Sequence, residues 1–144
     1  MEKVSGRLTI GLLVVKAMKA KDYKGSWPWK NFAPIEVSCK HCGELWKGEK
    51  MPEYFRDGMT KLQALREAWG KPIIVNSGHR CNFHNQRIGG AKSSQHLKLA
   101  LDCKCPMEEQ EAFCKLALEI GFTVARPYPE DGFVHLDMGK PRTW

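Results

Sequence analysis

Apolar side chains between Pro52 and Gly70 recur at helical spacing: Phe55, Met59, Leu62, Leu65 and Trp69 fall on one stripe. A proline opens the run and a glycine closes it, so the pattern predicts an amphipathic helix whose stripe faces a core. Pro72-Ile73-Ile74-Val75-Asn76 is apolar and too short for a helix, which predicts a buried strand. From residue 77 to residue 94 the chain is rich in Gly, Asn, His and Arg with no apolar period, a long irregular stretch of the kind that carries function. Strand pattern resumes over residues 99–103, and a second helix is predicted over about 107–120, between Pro106 and Gly121. Two last strands, 122–125 and 133–138, are separated by Pro127, Pro129 and Gly132. The order predicts an α+β fold, with a small, mostly antiparallel sheet packed with helices.

At 144 residues the chain suits one domain whose core needs no disulfide staples. Residues 1–26 read as an N-terminal extension and 27–144 as the working domain, entered through the aromatic loop Gly25-Ser26-Trp27-Pro28-Trp29. No apolar run approaches the ~20 residues that span a bilayer. Residues 8–15 resemble a very short signal-peptide core, but Lys16, Lys19 and Lys21 follow and no small-x-small cleavage site is apparent. The expectation is a packed segment rather than an export signal.

The formal charge of +7 is scattered rather than gathered in a stripe, so it implies only long-range attraction to polyanions. Anionic cell-wall polymers meet that description as well as nucleic acid does. A zinc-ribbon nucleic-acid binder would need a second ligand pair besides Cys39-x-x-Cys42, and a basic–aromatic repeat; both are missing. For the six cysteines three states stay open: buried free thiols, a disulfide, or a structural metal involving Cys39, Cys42 and Cys81.

Among the five histidines, two sit in a telling constellation. Ser94-Gln95-His96 leads into the strand that carries Asp102, and Phe133-Val134-His135-Leu136-Asp137 forms another. On that last strand Phe133, His135 and Asp137 share one face, while Val134 and Leu136 share the other. Two imidazoles and a carboxylate suit zinc, with a fourth position left to water.

The segment from Lys71 through Ser77-Gly78-His79-Arg80 and Gly89-Gly90 to Ser94-Gln95-His96 resembles the zinc D-alanyl-D-alanine carboxypeptidase family, which is related in fold to hedgehog signalling domains. The ending Gly132-Phe133-Val134-His135-Leu136-Asp137 resembles the closing motif of that family's small peptidase branch, as do Cys39-Lys40-His41-Cys42-Gly43 and Leu62-Gln63-Ala64-Leu65-Arg66 upstream. The resemblance covers about residues 27–144. It implies that His96, Asp102 and His135 bind Zn2+, and that Arg80 and Ser94 line the substrate groove. An arginine fork suits a peptide carboxylate or a polarised carbonyl, which gives Arg80 both a binding and a catalytic part.

Three departures from the family pattern shape the expectations. The interval from His96 to Asp102 is six steps instead of the family's seven, and its glycine is missing. An odd shift would flip a ligand if the whole segment were extended, so the deletion is expected in the turn just after His96. The acidic base expected three residues before the last histidine is replaced by Gly132, which leaves Asp131 as the preferred base, Glu130 as another candidate, and Asp137 as a carboxylate that orients a ligand. His79 replaces the usual tyrosine and is expected to bind substrate. The resulting reading is a monomeric zinc metallopeptidase that cuts peptidoglycan stem peptides, as a carboxypeptidase or an endopeptidase, in the periplasm or delivered by a phage. The alternative is a catalytically inactive zinc-binding module on the same fold.

Overall fold

The computed structural model describes residues 16–141. In chain order, β1 (Ala17–Lys19) is followed by α1 (Pro34–Val37), β2 (Glu44–Lys47), α2 (Glu53–Trp69), β3 (Val75–Ser77) and α3 (Asn82–Arg87). A 3-10 turn at Gln95–Leu97 then precedes β4 (Leu101–Lys104), α4 (Gln110–Ile120), β5 (Val124–Tyr128) and β6 (Phe133–Asp137). The α+β expectation holds. A four-stranded antiparallel sheet runs in the order β3-β4-β6-β5, and a separate antiparallel pair joins β1 to β2.

The predicted stripe becomes the buried face of α2, with Phe55, Met59, Leu62 and Leu65 all in the core. Each such side chain contributes about 1.5–3 kcal/mol over its exposed state. Gly70 ends the helix in the left-handed conformation (φ 75°) and returns its N–H to the Arg66 carbonyl. Gly58 faces the core too: a Cβ there would lie 2.9 Å from a Leu99 methyl, so α2 approaches the segment that leads into β4. The second predicted helix is realised as a 3-10 turn at Met107–Glu109 continuing into α4, whose Phe113 and Ala117 are buried.

Strand bounds moved for identifiable reasons. β5 continues through Pro127 to Tyr128 because it is an edge strand, where a residue without an N–H is tolerated. β4 starts at Leu101, since Leu99 and Ala100 are buried without joining the ladder. Ahead of the aromatic loop, β1 pairs with β2, and Met18, Ala20 and Tyr23 pack on the core. The signal-like run 8–15 lies outside the described residues.

Candidate functional site

β4 and β6 supply the floor of the site. Their inward residues Leu101, Cys103, Val134 and Leu136 are buried in the core, and alternation turns Asp102 and His135 to the opposite face. The antiparallel register sets Asp102 directly across from His135. His135 Nδ1 lies 2.9 Å from Asp102 Oδ1, and its Nε2 lies 2.7 Å from Asp137 Oδ2. Asp137 is buried, and its other oxygen accepts the Gly139 N–H at 2.8 Å.

His96 arrives from outside the sheet. It sits in the Gln95–Leu97 turn, not on a strand, so face alternation places no condition on its interval to Asp102. The Ser94 hydroxyl caps that turn by accepting the His96 N–H at 3.2 Å. His96 Nδ1 donates to the Gly78 carbonyl at 2.7 Å, and Nε2 lies 3.3 Å from Asp102 Oδ2. Gly78 has to be glycine, because a Cβ there would collide with the Val37 carbonyl. The shortened interval is therefore absorbed between His96 and β4, where Lys98 takes an irregular conformation (φ −103°, ψ −110°).

The geometry fits a metal cation. The Gly78 carbonyl only accepts, so His96 Nδ1 carries the proton and Nε2 presents its lone pair to a carboxylate. Two acceptors facing each other need a proton or a cation between them. The carboxylate–imidazole separations of 3.3 and 2.9 Å compare with about 3.4 Å between ligands held tetrahedrally on ~2.1 Å bonds. Ligand atoms of His96, Asp102 and His135 all lie within 4.8 Å of one another. Asp137 and the Gly78 carbonyl hold the far nitrogens of the two rings, the arrangement that orients metal-bound histidines.

The charges without a cation are consistent with this. Burial pushes the Asp102 carboxyl up, but hydrogen bonds from His135 and His96 overcome it and hold the group at about 2. Burial pushes His135 down, and its hydrogen bonds to Asp102 and Asp137 outweigh that and raise it.

Above the floor opens a cavity of about 340 Å³, lined by Arg80, Ser94, His96, Asp102 and His135 and walled by Tyr128 and Phe133, whose rings stack 4.5 Å apart. Arg80 Nη2 reaches Ser94 Oγ at 3.4 Å, while its buried Nε has no protein partner. The guanidinium lies on the lining of the cavity, where its fork suits a carboxylate or a carbonyl.

A family model described as Peptidase M15 matches residues 30–137. The chain belongs to that family. Its relatives are zinc-dependent peptidases of the D-alanyl-D-alanine carboxypeptidase type, so the resemblance read from the sequence holds, and the matched stretch of this M15 chain contains His96, Asp102, His135, Asp137, Arg80 and Ser94. No curated protein matches the chain.

Two expected site residues stand elsewhere. His79 is 2% exposed and points away from the groove: Nε2 lies 2.6 Å from Glu44 Oε2, and Nδ1 lies 2.6 Å from the Lys98 carbonyl. Its side chain ties β2 to the segment after His96 and does not line the groove. Asp131 is exposed in the β5–β6 turn, where its N–H bonds the Tyr128 carbonyl at 3.1 Å, and it does not line the cavity. Tyr128 escaped the sequence reading altogether, because a lone tyrosine between prolines gives no local signal.

Proposed function

We propose that the chain is a zinc metallopeptidase that hydrolyses peptide bonds of peptidoglycan stem peptides, as a D-alanyl-D-alanine carboxypeptidase or a murein endopeptidase. One observation carries the reading: a His–Asp–His donor set with both imidazoles oriented from behind, at the floor of a groove that an arginine overlooks. When bound by His96, Asp102 and His135, zinc acidifies water to yield a nucleophile near neutral pH and polarises the scissile carbonyl. Arg80 binds the substrate's carboxylate or carbonyl through its guanidinium fork. Ser94 holds both Arg80 and the His96 turn in place. Tyr128 and Phe133 form an apolar wall against which a stem-peptide side chain packs. The site of action is the bacterial wall, reached from the periplasm or by phage delivery.

A second reading, a zinc-binding module without catalysis, draws on a different observation. Among the described residues, Asp102 is the only carboxylate that lines the groove, so no separate acidic base stands there. Incubation of the purified, zinc-loaded protein with isolated peptidoglycan separates the two. Release of free amino groups, stopped by a chelator and abolished in His135→Ala, supports the peptidase. Stoichiometric zinc with no hydrolysis of any murein fragment overturns it in favour of the module.

A further inference from the structure

Away from the groove, three sulfur atoms converge. Cys39, Cys42 and Cys81 place their sulfurs within 4.8 Å of one another, with Cys39 and Cys81 buried and Cys42 half-buried. None of the three lines the groove. The Cys39 and Cys81 sulfurs are 3.8 Å apart. Sulfurs held tetrahedrally by zinc on ~2.3 Å bonds stand about 3.8 Å apart, so this pair already spans one edge of such a site.

The backbone around Cys39 is built for an anionic sulfur. In Cys39-Lys40-His41-Cys42-Gly43 the Gly43 N–H returns to the Cys39 carbonyl at 2.8 Å, and Gly43 takes a positive φ of 82°. That turn requires glycine's freedom. Burial raises the Cys39 thiol, and backbone hydrogen bonds from Cys81, Cys42 and His41 outweigh it and lower the group. Such donors stabilise a thiolate, the form that ligates metals. A Cys39–Cys81 disulfide would gain little from them and would strand Cys42 as an odd thiol beside it.

We propose that Cys39, Cys42 and Cys81, with His84 as fourth ligand, hold a structural zinc ion separate from the histidine–aspartate site. His84 lies three residues after Cys81, and its backbone N–H donates to the Cys81 sulfur at 3.3 Å; its ring stands outside the three-sulfur cluster and completes the site by rotation of its side chain. The ligands then form a Cys3His set, one of the structural zinc sets, with Cys39 and Cys42 at the usual Cys-x-x-Cys spacing. His41, stacked on His84 with centroids 5.7 Å apart, packs over the site as a cover. The ion joins two segments 42 residues apart. One of its ligands directly follows Arg80 and caps α3. It thus braces the arginine side of the groove from behind.

The test uses the full chain carrying His135→Ala, which removes one site and keeps every cysteine. We expect this protein to retain one zinc per chain by elemental analysis, against two in the wild type. Its cobalt-substituted form should show an intense near-ultraviolet thiolate-to-metal band, lost on adding Cys42→Ser and weakened by His84→Ala but not by His41→Ala. Chelation should lower its thermal midpoint by roughly 5–10 °C. A His135→Ala protein that binds no zinc and gives no thiolate band overturns the proposal, as does a Cys39–Cys81 disulfide in the native protein by mass spectrometry. Loss of the band in His41→Ala instead of His84→Ala overturns the fourth-ligand assignment.

Discussion

Asp102 and His135 face each other across the β4–β6 ladder, with the carboxylate oxygen 2.9 Å from the ring nitrogen. Because both come from strand positions whose neighbours are locked in the core, neither can turn away without unpacking Leu101 or Leu136. Alanine at either position should therefore remove zinc from this site and abolish peptide hydrolysis, with the fold retained. Zinc content and circular dichroism on the same samples check both halves of the expectation.

Asp137 is hydrogen-bonded to His135 and does not line the groove. Asp137→Asn should weaken zinc affinity or turnover by ~10–100-fold, the usual range for a carboxylate that orients a metal-bound histidine. Competition with a zinc chelator measures the affinity, and an unchanged value would remove Asp137 from the site's support.

Arg80→Lys keeps the charge and loses the planar fork. Loss of one charge-assisted hydrogen bond corresponds to about 1.5–3 kcal/mol, so kcat/KM should fall ~10–100-fold while zinc content stays constant. Steady-state kinetics on a stem-peptide substrate, with metal analysis alongside, decides the point.

Asp131→Ala should change activity by no more than about twofold, as expected for a surface substitution away from packed features. A loss of a hundredfold would mean that the turn swings into the groove during catalysis.

Acid should unfold the metal-free protein through its paired carboxylates. Asp102 is depressed from 3.8 to about 2, and Glu44 is lowered chiefly by its hydrogen bond from His79. A depressed carboxylate stabilises the fold above its unfolded pKa and loses that stabilisation as pH falls through the folded value. Urea midpoints of the chelated protein should thus drop between about pH 4 and pH 2. Asp102→Asn should flatten that drop. A midpoint that is constant down to pH 2 in the wild type would refute the linkage.

Local patterns made some of this molecule legible. The helix from Pro52 to Gly70 was readable because its apolar period, its opening proline and its closing glycine agree. His135 and Asp137 were readable as same-face residues because Val134 and Leu136 alternate with them, and the 2.7 Å bond between the two confirms that face. β2 and its Glu44 were not, since the reason Glu44 is buried is a histidine 35 positions later. Nor was α3: its six residues hold no apolar stripe, and it depends on the Cys81 cap and on the Asn85 side chain bonded to the Ala91 carbonyl. The placement of His79 was hidden for the same reason as that of Glu44. Its carboxylate partner stands 35 positions away, and no local pattern announces it.

The stacked Tyr128 and Phe133 rings close the β5–β6 hairpin like a clasp, and the turn beyond them is exposed. Asp131 stands in that turn, two residues from the Phe133 ring that walls the groove, and does not line the groove itself. A fluorophore attached at position 131 by chemistry that spares the six native thiols would then ride beside the wall of the groove and report a peptide entering it. The clasp makes the hairpin tip a natural handle for labelling or tethering the molecule to a surface.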